Sequence, residues 1–422
     1  MEKIFKKTLV IFILINLLIF NISLVFANSD DDIELVSESA ILMDTKTGKI
    51  LYGKNENKKM YPASTTKIMT ALLTLENCNL DETVNVSYDA VISIPEGYST
   101  AYLQIGETLT IEQLLNLLLI HSANDAANVL AEHVGGSIES FVSMMNTRIN
   151  ELGLKNTHFT NTYGKHDDDH YTTATDLANL MKYCIKNENF RTIAGKASCS
   201  IPATNLYGPR KYNSTNELII PTNKNYYENI TCGKTGYTTQ AGDCLVSCAY
   251  KDDLELICVI LGGKTVNNIS TRFSETKKLY EYAYSNYQIK NIINENDVVE
   301  QIKISNGTKD TKNLDIITKS SVPALLKNDI SIENTEPKVD LKEKISAPIE
   351  EGEILGTITY EIDEITYKTD LIASHSVQKS KLVPIIIQIV IVTIILLIIY
   401  KILIKKRHKK NKYKIYRIQK GR

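Results

Sequence analysis

Three short clusters in this chain set hydroxyls, amines and an amide at spacings suited to breaking an acyl bond. The first is Ser64-Thr65-Thr66-Lys67. Pro62 and Ala63 precede a run in which Ile68, Met69, Leu72, Leu73 and Leu75 recur with helical spacing, so the pattern predicts a helix with Ser64 at its N-terminus. Lys67 then lies one turn on, facing the same way. A hydroxyl is a weak nucleophile at neutral pH, and an amine held beside it under the positive end of a helix can shed its proton and act as base. A helix-capping serine followed by a solvated lysine is the competing reading, and Ser274/Lys277 and Ser376/Lys379 repeat the spacing.

The second cluster, His121-Ser122-Ala123-Asn124-Asp125, falls where one apolar helix ends and another begins. A hydroxyl in such a turn can relay a proton, and the Asn124 amide can hold a substrate carbonyl or the Lys67 amine. Ser and Asn also cap helices, and Ser214-Thr215-Asn216 carries the same spacing. The third cluster is Gly233-Lys234-Thr235-Gly236-Tyr237-Thr238, just before a predicted β hairpin. On a strand Lys234 and Gly236 point to one face, and the glycine lets a ligand's backbone lie close. A cationic lysine and a threonine hydroxyl there suit a substrate carboxylate. Lys46-Thr47-Gly48 repeats the triplet, but inside a hairpin turn where glycine is expected for backbone reasons.

The elements that must position these clusters are strands at both ends of the first half and helices between. Ser39 to Asp44 and Ile50 to Gly53 read as a hairpin, as do Gly242 to Tyr250 and Leu254 to Leu261, joined at Lys251-Asp252-Asp253. Ile111 to Ile120, Asn124 to His133, Ile138 to Leu152, Thr173 to Asn187 and Asn268 to Asn286 read as helices. Residues 77–98 receive no assignment. Strand, helices, then strands predict a sheet that joins distant parts of the chain, with a helical subdomain inserted. From about Asp297 the texture changes to short alternating runs, Val298 to Ile304, Leu314 to Ile317, Ile354 to Tyr360 and Ile365 to Ile372, which predict a small β-rich second domain.

A length of 422 residues with 43% hydrophobic and 23% charged content allows two soluble domains plus accessory segments and argues against bulk disorder. The net charge of -1 hides an asymmetry, because residues 401–422 hold many Lys and Arg and no acid. The remainder is acidic, which argues against a nucleic-acid partner. Lys3, Lys6 and Lys7 precede an apolar run from Thr8 to Phe26, and Val25-Phe26-Ala27 gives the small residues of a signal-peptide cleavage site; an uncleaved N-terminal anchor is the alternative. Val383 to Ile404 is apolar enough to cross a bilayer core of about 30 Å, and Lys405-Lys406-Arg407 follows at once. The positive tail belongs on the cytoplasmic side beside anionic lipid, which places everything between the two apolar segments outside. Seven cysteines without CxxC spacing, several in apolar runs, read as buried free thiols rather than a disulfide framework or metal site.

Ser-x-x-Lys, Ser-x-Asn and Lys-Thr-Gly thus occur in the chain order of one known set. On these motifs, with Pro62-Ala63 before the first, Asp125-Ala126-Ala127 after the second and Ala241-Gly242 after the third, the chain resembles the low-molecular-mass penicillin-binding proteins. Specifically, it is similar to serine-type D-alanyl-D-alanine carboxypeptidases with a β-rich C-terminal domain, over roughly Ser37 to Ile372. The resemblance implies an α/β fold: a β-lactamase/transpeptidase-like domain, in which an antiparallel sheet is flanked by helices with a helical subdomain, then a small all-β domain and a C-terminal transmembrane helix. The expected limits are a signal peptide over 1–27, the peptidase domain over 28–290, the β-rich domain over 297–372, a stalk over 373–382, the membrane helix over 383–404 and a basic cytoplasmic tail over 405–422.

The resemblance also implies a reaction. Ser64 attacks the penultimate D-Ala carbonyl of a peptidoglycan stem peptide, Lys67 is its base, and Ser122 passes a proton to the departing D-alanine. Asn124 positions substrate and Lys67, while Lys234 and Thr235, with Thr238, hold the terminal carboxylate. Backbone N–H groups of Ser64 and Tyr237 form the oxyanion hole, with Gly236 close by, and β-lactams inhibit. No cofactor or metal is expected. Two departures bear on substrate detail: Lys165 follows Gly164 where an apolar residue is expected, and no Arg lies between Lys211 and Gly233.

Class A β-lactamases share the three motifs and add a deacylating glutamate. Glu112-Gln113-Leu114-Leu115-Asn116 spells such a pattern but precedes Ser122, so it reads as the polar side of an amphipathic helix. A transpeptidase would use the same residues with an amine in place of water. A non-catalytic sensor calls for a broken constellation or a signalling domain, and neither is visible. His166-Asp167-Asp168-Asp169-His170 reads as a solvated polar loop rather than a metal site.

Overall fold

The structure, a computed structural model, describes residues 33–419 except 268, 331, 333, 334 and 364. The predicted signal segment lies outside the described residues. Two compact units divide the chain after Ser285.

In the first unit, β1 (Ser39–Asp44) and β2 (Ile50–Lys54) form the expected hairpin. They join β3 (Ile230–Thr238), β4 (Gly242–Lys251) and β5 (Leu254–Gly263) in one antiparallel sheet of order β2-β1-β5-β4-β3. β1 lies between β2 and β5 and is buried along its whole length, which is why Ala40-Ile41-Leu42-Met43 is a continuous apolar run rather than an alternation. Ser39 pairs with Leu261, so the sheet closes around the helical stretch between, as the sequence predicts.

That stretch is built on α1 (Lys67–Asn77), which is buried from Lys67 to Thr74 and apolar on nearly every side, the mark of a central helix. Thr110 and Gln113 form a reciprocal capping box that starts α2 (Ile111–Asn116). The chain continues as one π-helical turn, Leu117–His121, where the sequence predicts unbroken α-helix, and stops at Ser122 with φ of 67°. α3 (Asn124–Gly135) follows, then α4 (Ile138–Glu151), capped by Ser137. α5 (Ala174–Cys184) ends short of the predicted Asn187 because that residue caps a further helix, α6 (Glu188–Ala194), through the amides of Asn189 and Phe190. α7 (Thr271–Asn286) covers the last predicted helix. The unassigned stretch holds a strand, Thr83–Asn85, paired with Thr108–Thr110, and a short helix, Tyr88–Ile92.

The second unit has its own apolar core, including Leu314, Ile316, Leu326, Leu355 and Leu371. β6 (Tyr287–Ile293) pairs with β9 (Val322–Lys327), and β7 (Val298–Lys303), β8 (Asn313–Thr318), β10 (Lys338–Leu341), β11 (Ile354–Ile362) and β12 (Ile365–Ala373) form a sheet of order β7-β8-β12-β11-β10. β6, β9 and β10 were not expected. β9 contains Pro323, which cannot donate to a ladder, and it pairs with a single partner strand. Residues assigned to a stalk run back along the sheet: Val377 bridges to Ile349 and is buried. The last element, α8 (Leu382–Gln419), contains one helix long and apolar enough to cross a membrane, Pro384–Lys410, with mean hydropathy 2.9.

Candidate active site

Ser64 lies in a single 3-10 turn, Ala63–Thr66, that runs directly into α1, one turn earlier than a simple helix start. In 3-10 geometry side chains at i and i+3 eclipse, which brings the Lys67 Nζ to 2.9 Å from the Ser64 Oγ. Ala63, with φ of 48°, turns the chain into this element at a conformation that is costly for a residue with a Cβ. Three neighbours brace it. Thr65 donates to the Pro62 carbonyl at 2.7 Å, Thr66 to that of Ala63 at 2.8 Å, and His170 Nε2 meets Thr66 Oγ1 at 2.8 Å. Burial holds His170 neutral, its pKa lowered to about 3, and its Nδ1 accepts the Thr160 amide, so it is a brace and not a cation.

Lys67 is fully buried. Beyond Ser64 its amine reaches Asn124 Oδ1 at 2.6 Å and the Tyr163 carbonyl at 3.0 Å. Burial drives its pKa well below the ordinary lysine value; the nearby Lys234 ammonium adds to this and Asp125 opposes it. Asp125, itself buried, accepts the amides of Ala101 and Leu103 and ties the 97–103 loop to the start of α3. Burial raises its pKa against these hydrogen bonds. Ser122, buried and left-handed, stands between the π turn and Asn124.

β3 supplies the opposite wall. A Cβ on Gly236 would lie 2.9 Å from the Ser64 amide nitrogen and 3.0 Å from the Pro62 carbonyl, so only glycine lets this strand lie against the serine turn. Gly164, with φ of 91°, is closer still: a Cβ there would sit 1.8 Å from the Ala63 carbonyl. Lys234 is buried, with its pKa lowered to about 7 by burial and then by Arg272, and its amine meets the Thr235 carbonyl at 2.9 Å. The Thr235 hydroxyl meets that of Thr215 at 2.5 Å.

Ser64, Asn124, Tyr163, Tyr237 and Thr238 line one cleft of about 420 Å³, walled on the far side by Tyr98 and Ser99. Lys67, Lys234 and Thr235 are buried residues of the same region, so the three clusters converge as their order suggested. Arg272 was not foreseen. It reaches in from α7 to the Gly236 carbonyl at 2.9 Å and pairs with Asp243 at 3.5 Å, supplying beside β3 an arginine from outside the segment between Lys211 and Gly233, which holds none. Nothing in local spacing marks the roles of Arg272 or His170, because each arrives through tertiary packing, whereas Asp125 adjoins Asn124 in the second cluster. Glu112 is solvent-facing and 3.7 Å from Lys196, and Asp168 in the histidine loop is likewise exposed, but the reading of that loop as solvated fails at His170, which is buried against Thr66.

Residues 25–265 match the family model described as D-alanyl-D-alanine carboxypeptidase, and residues 287–379 match that of the penicillin-binding protein 5 C-terminal domain. The chain is 31% identical over 355 residues to D-alanyl-D-alanine carboxypeptidase DacF of Bacillus subtilis, covering 82% of this chain and 87% of the relative. It is also 31% identical to DacC of Escherichia coli, covering 76% and 79%. The crystal structure of penicillin-binding protein 5 from Haemophilus influenzae shares the fold with a TM-score of 0.62 at 24% identity, over 82% of this chain and 98% of that one. A matching family model over more than half of the sequence, with relatives of this identity and coverage, means that the chain belongs to the serine-type D-alanyl-D-alanine carboxypeptidases.

Proposed function

We propose that Ser64 is the nucleophile with which this chain removes the terminal D-alanine from peptidoglycan stem peptides, and that Lys67 is its base. The observation that carries the assignment is the surroundings of the Lys67 amine. A neutral amine has two N–H donors and one lone pair. Asn124 Oδ1 and the Tyr163 carbonyl take the two donors, which leaves the lone pair for the Ser64 hydroxyl at 2.9 Å. Burial and the charge of Lys234 favour that neutral state.

The Ser64 oxygen attacks the carbonyl of the penultimate D-Ala, and its proton passes to Lys67. The oxyanion that forms is held by the backbone N–H groups of Ser64 and Tyr237, a reading supported by the close approach of neighbouring Gly236 to the Ser64 amide. The proton returns through Ser122 to the leaving D-alanine nitrogen as the C–N bond breaks. Water then cleaves the Ser64 ester and restores the enzyme. Protonated Lys234, with Thr235 and Thr238, holds the terminal carboxylate, and Arg272 adds positive charge behind them. In this reading an N-terminal signal segment over 1–27 exports the peptidase, α8 anchors it in the membrane, and the basic end stays in the cytoplasm.

Intact mass of the detergent-purified chain incubated with benzylpenicillin, beside Ser64→Ala, tests the assignment, with D-alanine release from a D-Ala-D-Ala stem peptide followed in parallel. A stable adduct and D-alanine release, both lost in the variant, are expected. An adduct that survives Ser64→Ala overturns the nucleophile, and an adduct without D-alanine release points to an amine acceptor in place of water.

A further inference from the structure

The far ends of α1 and α3 meet at a second group of reactive side chains, one that the peptidase chemistry does not use. Cys78 caps the C-terminus of α1, Glu82 ends the turn that follows, and His133 stands in the last turn of α3. A ligand atom from each of the three lies within 4.8 Å of the other two. His133 Nε2 is 3.4 Å from Glu82 Oε2, which is the edge of a tetrahedron with bonds of about 2.1 Å.

The group is held in place from outside. Asn79 donates to Glu82 Oε1 from its backbone nitrogen at 2.7 Å and from Nδ2 at 2.8 Å, so the carboxylate is fixed with its other oxygen turned to His133. The Cys78 amide is tied to the Thr74 carbonyl at 2.9 Å. Six of the seven cysteines are buried, and Cys78 alone is partly exposed, so its thiol is the one that a dissolved ion can reach. Thiolate, imidazole and carboxylate together are zinc donors, whereas calcium and magnesium sites are built of oxygen alone.

We propose that Cys78, Glu82 and His133 bind a zinc ion that staples the distal ends of α1 and α3, the two helices whose opposite ends carry Lys67 and Asn124. The ion takes the Cys78 sulfur as thiolate, and the displaced thiol proton passes to solvent. Neutral His133 binds through Nε2, Glu82 through Oε2, and water completes the tetrahedron. Asn79 orients the carboxylate from behind. The staple stabilises the helix pair and leaves the acyl transfer to the residues at the other end.

The test is equilibrium dialysis of the detergent-solubilised full chain against zinc, with a cobalt(II) titration read by its thiolate-to-metal charge-transfer band and iodoacetamide labelling of Cys78 mapped by peptide mass. Saturable binding of a single equivalent is expected, with the charge-transfer band, protection of Cys78, and a Tm increase of about 5 °C at hundredfold excess over Kd. Cys78→Ser removes the band. His133→Ala, at an exposed position, and Asn79→Ala each weaken binding by about tenfold or more. Penicillin acylation, unchanged in every variant, reports that the variants fold. His166→Ala is the control for the histidine loop and leaves binding intact. No saturable binding, binding kept in both Cys78→Ser and His133→Ala, or loss only in His166→Ala would each overturn the site.

Discussion

The two units of this protein bury different things. The first encloses Lys67, Lys234, Asp125 and Glu107 along with Ser122 and Asn124, whereas among the described residues of the second the buried polar side chains are Thr318 and Thr369. Backbones differ in the same sense. Among the described residues of the second unit the left-handed non-glycine residues are Asn296, Asn306 and Asp363, side chains that tolerate turns, while the first unit, besides turn residues such as Asn55 and Asp252, places Ala63 and Ser122 there, beside the reacting groups. A β-sheet that only has to fold keeps charge out and gives its turns to turn residues. A site that must hold a neutral amine against a hydroxyl accepts the desolvation cost of the amine and the strain of the turn.

Lys67→Met gives the sharpest version of this contrast. It replaces the buried amine with an apolar side chain of similar length, and acylation by penicillin should fall by about 10³-fold or more as the base is lost. Stability should change by no more than about 1–2 kcal/mol, because the relieved desolvation of the amine offsets the Asn124 Oδ1 and Tyr163 carbonyl acceptors that it leaves unpaired. The pH dependence carries a sign. The folded pKa of Lys67 lies well below its unfolded value, so between the two the unfolded chain binds the extra proton and stability increases with pH; the slope from this residue disappears in the variant. Urea melts across that range, beside acylation rates, measure both. A variant that acylates slowly and is also much less stable would mean that Lys67 is structural, and the contrast between the units would fail.

Lys234 offers a finer test on the other wall. With its pKa near 7, the free enzyme loses the carboxylate-holding charge as pH rises through that value, so kcat/KM should decline on the alkaline side while the need for neutral Lys67 sets the acid side. Lys234→Arg keeps its charge at every working pH. The variant should lose roughly tenfold in kcat/KM from altered shape and also lose the alkaline decline. A decline that persists in the variant assigns it to another group.

What could be read from the chain and what could not follow the same division. Ser64 with Lys67, and Ser122 with Asn124, are local pairs whose relation is fixed by one turn of backbone, and Lys234 with Gly236 is fixed by the strand period, so spacing alone reveals them. Arg272 and His170 act on these clusters from 36 residues beyond Gly236 and 104 beyond Thr66, and no periodicity links them. The π turn before Ser122 was hidden because Leu117-Leu118-Leu119-Ile120 suits α and π geometry equally. In the second unit the missed strands were β6 and its partner β9, the latter interrupted by Pro323, and β10, whose Lys338 and Asp340 lie on an exposed edge. Apolar alternation marks a strand by its buried face, and an edge strand has little of one.

The second unit should answer to packing alone, and Leu371→Ala tests that. Leu371 is fully buried on β12, a central strand where it pairs across to Thr318 on one side and Gly356 on the other. Removing its branched end leaves a cavity among Leu314, Ile316 and Leu355 that a two-sided sheet position cannot collapse to fill. The expected cost is about 3 kcal/mol of stability in this unit, read as faster amide hydrogen exchange in β8, β11 and β12. No catalytic group lies in this core, so the rate of Ser64 acylation by benzylpenicillin should stay within about twofold of the parent. If the acylation rate falls together with exchange protection in β12, the sheet is part of the apparatus that holds Ser64 and Lys67, and the division between a unit that folds and a unit that reacts is wrong.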